Sequence, residues 1–272
     1  MKVGIIGYGS IGRMLALKFL ESGKVSKDDL FVTTRTKEKL NELKDRAVIC
    51  SSNPDVAGNS DLLFICLRPG DIKAVLEEIK PVLKEETLVI SLNGSVTFEL
   101  LERIIDHKIA KVIPSVTAEI NRSQTLVCYN DKVTDEDKLL LMDILSSIGN
   151  VIELPEKEMG MGSELVSCMP GFIASMFDVV CSSAKDHTEI PDDQIVNMVL
   201  NTLSATSDLM LQKKMTFKEV VDRVATKGGI TEVGSQVIYE KFPQTSDEMF
   251  EKTLEKRRIT SAKAEDQMRG SS

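Results

Sequence analysis

The sequence predicts an α/β domain with a mostly parallel sheet, followed by an all-α domain that pairs with another copy of the chain. Three features predict it. Short β-branched runs alternate with helix-periodic segments up to about Leu154, a glycine triplet joins the first run to the first helical stripe, and strand-like runs nearly vanish after Pro155. The strands are expected at residues 2–6, 30–34, 48–50, 62–67, 88–92, 111–113, 125–129 and 151–154. They are apolar throughout rather than alternating, which suits a sheet covered on both faces. Between them, Ile11, Leu15 and Phe19 form one helical stripe, and Ile72, Val75, Leu76 and Ile79 form another. Asn53 before Pro54 reads as an N-cap with proline at the first helical position, and Thr134 with Asp137 reads as a capping box before residues 139–148. The first domain is therefore assigned to residues 1–155 and the second to residues 156–268.

The second domain turns on one helix, residues 166–184. No charge occurs from Val166 through Phe177, so this helix is apolar on nearly every side and needs protein around it. One small domain cannot enclose it, and burial against a second copy predicts a homodimer or a larger symmetric assembly. Further helices are expected over 191–212, over 216–224 behind a Thr216–Glu219 capping box, over 232–241, and from 246 into the charged tail.

Composition removes other classes. The chain has 272 residues, 42% hydrophobic and 28% charged, and 42 Asp and Glu against 34 Lys and Arg leave a net charge of -8. That balance argues against an extended nucleic-acid or anionic-membrane surface. Uninterrupted apolar stretches fall short of the roughly 18 residues a membrane helix needs, and the start lacks a secretory cleavage pattern, so a cytoplasmic location is expected. Five cysteines stand far apart without a C-x-x-C pair, and only two histidines are present, so metal or redox-pair chemistry is not indicated. Cys50, Cys66, Cys128 and Cys181 read as buried small hydrophobes; Cys168 reads equally as packing or as a contact near a cofactor. His107 and His187 are expected at the surface.

Gly7-x-Gly9-x-x-Gly12 follows the first strand and opens the first helix. This context makes it a Rossmann-type dinucleotide loop: Gly7 for the tight turn, Gly9 for approach of a pyrophosphate, Gly12 for close helix packing. The amides of Ser10, Ile11 and Gly12 then face the phosphates at the positive helix end. The second strand ends in Thr33-Thr34-Arg35-Thr36, without the acid that an NAD site places there to hold the ribose hydroxyls. The hydroxyls of Thr34 and Thr36 with the Arg35 guanidinium suit a 2′-phosphate instead, which predicts NADP as cofactor.

The glycine loop, the turn Cys66-Leu67-Arg68-Pro69 and the loop Lys227-Gly228-Gly229-Ile230-Thr231 together resemble the pyrroline-5-carboxylate reductase family. The similarity runs in order over nearly the whole chain, and Asn53, the strand end from Ser91 to Val96 with Asn93, and the turn Ile113 to Val116 share in it. The resemblance implies that Asn53, Cys66, Leu67, Arg68, Pro69 and Asn93 line the cofactor. It also implies a helical domain interleaved with a partner and a site that draws on both domains. Departures occur at 166–172, where larger residues replace small ones, and at Ser115, where the family has Asn. These variants look most like the late-competence, ComER-type branch.

In the family, NADPH delivers hydride to the C=N carbon of a cyclic imino acid to give proline. Consecutive glycines allow backbone amides to approach an anion, so Gly228 and Gly229 suit the substrate carboxylate. Thr226 and Thr231 match family positions that contact substrate, and Thr231 is expected to hydrogen-bond the ring nitrogen. Read without the resemblance, the glycine pair is more simply a link between helices, Thr231 an N-cap and Lys227 a solvated charge, although Lys227 near an anionic substrate could attract the carboxylate. A β-hydroxyacid dehydrogenase, a class whose members carry a helix-borne lysine with an asparagine one turn later, is disfavoured because residues 166–184 contain no lysine. A cofactor-holding late-competence protein with a regulatory or assembly role and little reductase activity stays open.

Overall fold

The computed structural model describes residues 1–269. Eight strands form a single sheet: β1 (Val3–Ile6), β2 (Leu30–Thr33), β3 (Val48–Ile49), β4 (Leu62–Ile65), β5 (Leu88–Ser91), β6 (Ile109–Ile113), β7 (Ser123–Tyr129) and β8 (Gly149–Glu153). Their order is β3-β2-β1-β4-β5-β6-β7-β8, with every neighbouring pair parallel except β6 and β7. Within β4, Leu62 and Phe64 join one apolar layer while Leu63 and Ile65 join the other. A strand buried on both faces needs apolar residues at every position, which is why its run is unbroken. Phe64 meets Phe19 with ring centroids 5.4 Å apart.

The helices of this part are α1 (Ser10–Glu21), α2 (Asn53–Gly58), α3 (Pro69–Ile79), α4 (Phe98–Glu102) and α5 (Asp135–Leu145). Two expectations need correction. Ile11 is exposed, and the buried face of α1 is Gly12, Leu15, Ala16 and Phe19. Asn53 is not the N-cap of α2: Ser52 Oγ accepts from the Asp55 amide at 3.2 Å and Asp55 returns a bond to the Ser52 amide at 3.2 Å. The reciprocal box satisfies two orphan donors where an Asn cap would satisfy one, so the helix starts one residue earlier than Pro54 suggested. The boxes at Thr134–Asp137 and Thr216–Glu219 stand as expected.

After β8 the chain is helical: α6 (Met159–Ser163), a π turn over Glu164–Cys168, α7 (Met169–Lys185), α8 (Asp192–Lys213), α9 (Phe217–Val224) and α10 (Ile230–Arg269). The expected break between 241 and 246 is absent, and α10 runs through Pro243. A proline removes one helical hydrogen bond, about 3 kcal/mol, and leaves the turns on either side intact. The chain divides into two compact units, residues 1–170 with 254 onward, and residues 171–253. In the first, Ala264 and Met268 of α10 are buried in the layer that contains Ile72 and Leu76. Arg257 reaches Glu164 Oε1 from Nε at 3.0 Å and from Nη2 at 2.7 Å, and Ser163 Oγ at 3.1 Å. Glu164 is buried and its Oε2 has no hydrogen-bond partner.

In the second unit only Cys181 and Ile195 are buried. Val179, Leu200, Leu211, Phe217 and Ile230 all stand exposed. The expectation that no segment reaches membrane length is also corrected: the helical run Glu156–Lys185 is long and apolar enough by length and composition, with a mean hydropathy of 1.6 in an 18-residue window. Counting uninterrupted apolar residues missed it because glycines and serines punctuate the run without adding charge.

Candidate functional site

A cleft of about 410 Å³ opens beyond the C-terminal ends of β1, β2 and β4, where the strand order reverses. Open parallel sheets bind ligands at such a switch point. Of the expected residues, Gly7, Gly9, Thr34, Arg35, Thr36, Asn53, Cys66, Leu67 and Arg68 line it.

The glycines act differently. Gly7 has φ +99°, and a Cβ there would lie 2.5 Å from the Cys66 carbonyl oxygen. A Cβ on Gly12 would lie 2.0 Å from the Gly7 carbonyl oxygen, so α1 can approach the loop only as glycine. Around Gly9 nothing lies within 4 Å, which leaves open space over the loop. No side chain caps α1, whereas Ser52, Thr97, Thr134 and Thr216 cap α2, α4, α5 and α9. The amides of Ser10, Ile11 and Gly12 are thus left for an external acceptor at the positive end of the helix. This open space and the free amides fit a diphosphate.

Ser10 and Ile11 are exposed at the helix start, Gly12 is buried beneath the loop, and Pro69 is the first residue of α3. Asn93 is half-buried; its Oδ1 accepts from the Ser95 amide at 2.9 Å and its Nδ2 donates to the Leu67 carbonyl at 3.5 Å. These five residues are not among those lining the cleft.

Sequence reasoning missed Tyr8, Lys39 and Asp71, which do line it. Tyr8 donates to Glu42 Oε1 at 3.0 Å, and Arg13 holds both oxygens of Glu42 at 2.6 and 2.7 Å. The Arg13 bond keeps the Glu42 carboxyl below its usual range, and burial, then Glu42, holds the Tyr8 phenol above its own. Lys37 Nζ donates to Thr33 Oγ1 at 2.9 Å and to the carbonyls of Cys50 and Ser51 at 3.0 and 3.1 Å. These bonds tie the end of β2 and the glycine loop to their surroundings.

All five cysteines are free thiols. Cys50, Cys128 and Cys181 are buried; Cys66 is only half-buried because the cleft opens beside it, which corrects its reading as a core residue. Burial of its sulfur pushes the Cys66 thiol up to about 12, so it stays neutral near pH 7. Cys168 sits half-buried in the π turn, 4.0 Å from Arg257 Nη2, and burial followed by Glu164 raises its thiol. His107 is half-buried rather than at the surface. Its Nε2 meets the Lys84 carbonyl at 3.0 Å and its Nδ1 accepts from the Lys108 amide at 2.9 Å, bonds that draw the ring inward. Ser115 is buried, and its amide donates to Ser123 Oγ at 3.0 Å.

The second loop, between α9 and α10, holds Thr226, Gly228 and Gly229, and Thr231 follows in the first turn of α10. Gly228 has φ +74°, and a Cβ on Gly229 would lie 2.5 Å from Thr226 Oγ1. The Gly229 amide donates to the Thr226 carbonyl at 2.8 Å, and the Gly228 amide donates to Glu232 Oε2 at 2.6 Å. Both glycine amides therefore have acceptors within the loop, which the glycine pair alone did not suggest. Thr231 and Lys227 are exposed, and Thr231 is the second residue of α10 rather than its cap.

Residues 2–94 match the family model described as NADP oxidoreductase coenzyme F420-dependent, and residues 156–259 match pyrroline-5-carboxylate reductase dimerisation. Pyrroline-5-carboxylate reductase 3 of Bacillus subtilis (strain 168) is 33% identical over 258 residues, 94% of this chain and 95% of the relative. The chain belongs to the pyrroline-5-carboxylate reductase family. ComE operon protein 4 of the same organism is 26% identical, covering 88% of each chain. Among solved structures, the Plasmodium falciparum pyrroline carboxylate reductase with NADP bound superposes with a TM-score of 0.83 at 24% identity, over 96% of this chain and 98% of that one. The family's fold is thus the one described above.

Proposed function

We propose that this chain is an NADP-dependent imine reductase of the pyrroline-5-carboxylate reductase type and that it works as a homodimer or larger homo-oligomer. The observation that carries the cofactor reading is the uncapped start of α1 above a cleft whose cations are Arg35, Lys39 and Arg68. When bound, NADPH supplies hydride for the C=N carbon of a cyclic imino acid. Ser10, Ile11 and Gly12 hold the diphosphate through their amides, and Thr34, Arg35 and Thr36 hold the 2′-phosphate. Asn53, Cys66, Leu67, Arg68, Pro69 and Asn93 bound the nucleotide by packing and hydrogen bonding. Thr226, Gly228 and Gly229 receive the substrate carboxylate, for which Glu232 must first release the Gly228 amide. Thr231 holds the ring nitrogen by a hydrogen bond and does not titrate.

The dimer reading rests on the match of residues 156–259 and on the exposed apolar side chains of α7 to α10. It gives the run Glu156–Lys185 to a protein partner rather than to lipid. A second reading, an NADP-holding late-competence protein with a regulatory or assembly role, is favoured by the occupied Gly228 amide. The higher identity to the reductase, 33% against 26% for the ComE operon protein, favours catalysis.

Mixing the protein with NADPH and pyrroline-5-carboxylate and following the nicotinamide absorbance tests the proposal. Turnover is expected, with Thr231→Ala lowering kcat/KM about ten- to a hundredfold at nearly unchanged NADPH affinity. NADPH binding without turnover would favour the regulatory reading.

A further inference from the structure

Of the residues lining the cleft, Arg35, Lys39 and Arg68 are cationic, and Asp71 is the one carboxylate. Lys39 and Arg68 have no ion-pair partner among the described residues, while Arg35 Nη1 lies 3.5 Å from Asp71 Oδ1. Arg35 stands at the end of β2 and Asp71 in the first turn of α3, so the pair spans the cleft. Arg35 is 88% exposed, and among the described residues Asp71 is its only ion-pair partner. A phosphate that takes Arg35 must displace this carboxylate or sit beside it, and the two like charges repel.

We propose that Asp71 sets the nucleotide preference of this chain, by occupying Arg35 in the place of a 2′-phosphate and so weakening the binding of 2′-phosphorylated nucleotides relative to unphosphorylated ones. Asp71 keeps the guanidinium in the cleft and makes the phosphorylated nucleotide easier to release. A nucleotide without the 2′-phosphate leaves the Arg35–Asp71 pair intact and meets no such competition. This inference rests on the assignment of the cleft to NADP.

The test is calorimetric titration of the full-length protein with 2′,5′-ADP and with 5′-ADP, in the wild type, Asp71→Asn, Arg35→Ala and the double variant, at low and high salt. An exposed pair is weak, so Asp71→Asn is expected to tighten 2′,5′-ADP about three- to fivefold and leave 5′-ADP within about twofold. The gain should shrink at high salt and vanish in the Arg35→Ala background. An equal change for both ligands, no change for 2′,5′-ADP, or a gain that survives Arg35→Ala would overturn the role of Asp71. Wild-type protein that binds neither ligand nor NADPH would instead overturn the cofactor assignment.

Discussion

The two compact units of this chain contain similar apolar side chains and bury them differently. In the sheet unit, Phe19, Phe64, Leu15 and Leu62 are fully enclosed by residues of the same unit. In residues 171–253, Leu211 and Phe217 are 72% and 79% exposed and only Cys181 and Ile195 are buried. A sheet with helices on both faces closes its own core, whereas a few helices cannot cover each other's outer stripes. The first unit encloses its own core, and the second leaves its apolar side chains exposed. In the homo-oligomer proposed above, that exposure marks association rather than instability.

Four experiments can break or sharpen this contrast. Phe64→Ala should cost about 3–5 kcal/mol in urea unfolding, because the cavity lies in a closed core; a cost below about 1 kcal/mol would show that the core is not closed. Glu164→Gln should cost about 2 kcal/mol, since it leaves Arg257 facing a neutral amide at the π turn. Leu200→Lys combined with Leu211→Lys should shift the sedimenting species toward monomer while changing secondary structure little. On the surface of a monomer the same changes would stay within about 0.5 kcal/mol and leave sedimentation unaltered.

The smallest effect concerns His107. Burial holds its imidazole below the usual range, and its two bonds need a proton on Nε2 and a free Nδ1. A depressed folded value means that the neutral ring contributes stability above about pH 6.5, and that this share is lost as pH falls toward the folded value. Lowering the pH from about 7.5 to about 5.5 should therefore lower the urea midpoint. His107→Gln should flatten that part of the profile.

The strands were legible as short runs bounded by polar or glycine-containing turns; β1, β2, β4, β5 and β6 are buried at every position, which removes the ambiguity of alternation, whereas the edge strands β3 and β8 are largely exposed and were legible only from their β-branched residues. The Thr134 and Thr216 boxes were legible because a cap acts over three residues. Ser52 was missed because Pro54 points to the residue before it, while the competing serine bond is visible only in geometry. Lys39 and Asp71 escaped notice for another reason: each reads as an ordinary surface charge until the fold brings the end of β2 opposite the start of α3. Glu232 likewise reads as a helix-start acid until its carboxylate is found on the Gly228 amide.

The sequence by itself determined the sheet-then-helix order, the glycine loop and the lack of an acid at the end of β2, because these depend on periodicity and on residue types within a few positions. Tertiary structure alone decided which charges meet across the cleft, that α10 passes through Pro243, and that both loop glycine amides already have acceptors. Those outcomes depend on distances between residues far apart in the chain or on competition among nearby hydrogen-bond partners, and no local pattern encodes either.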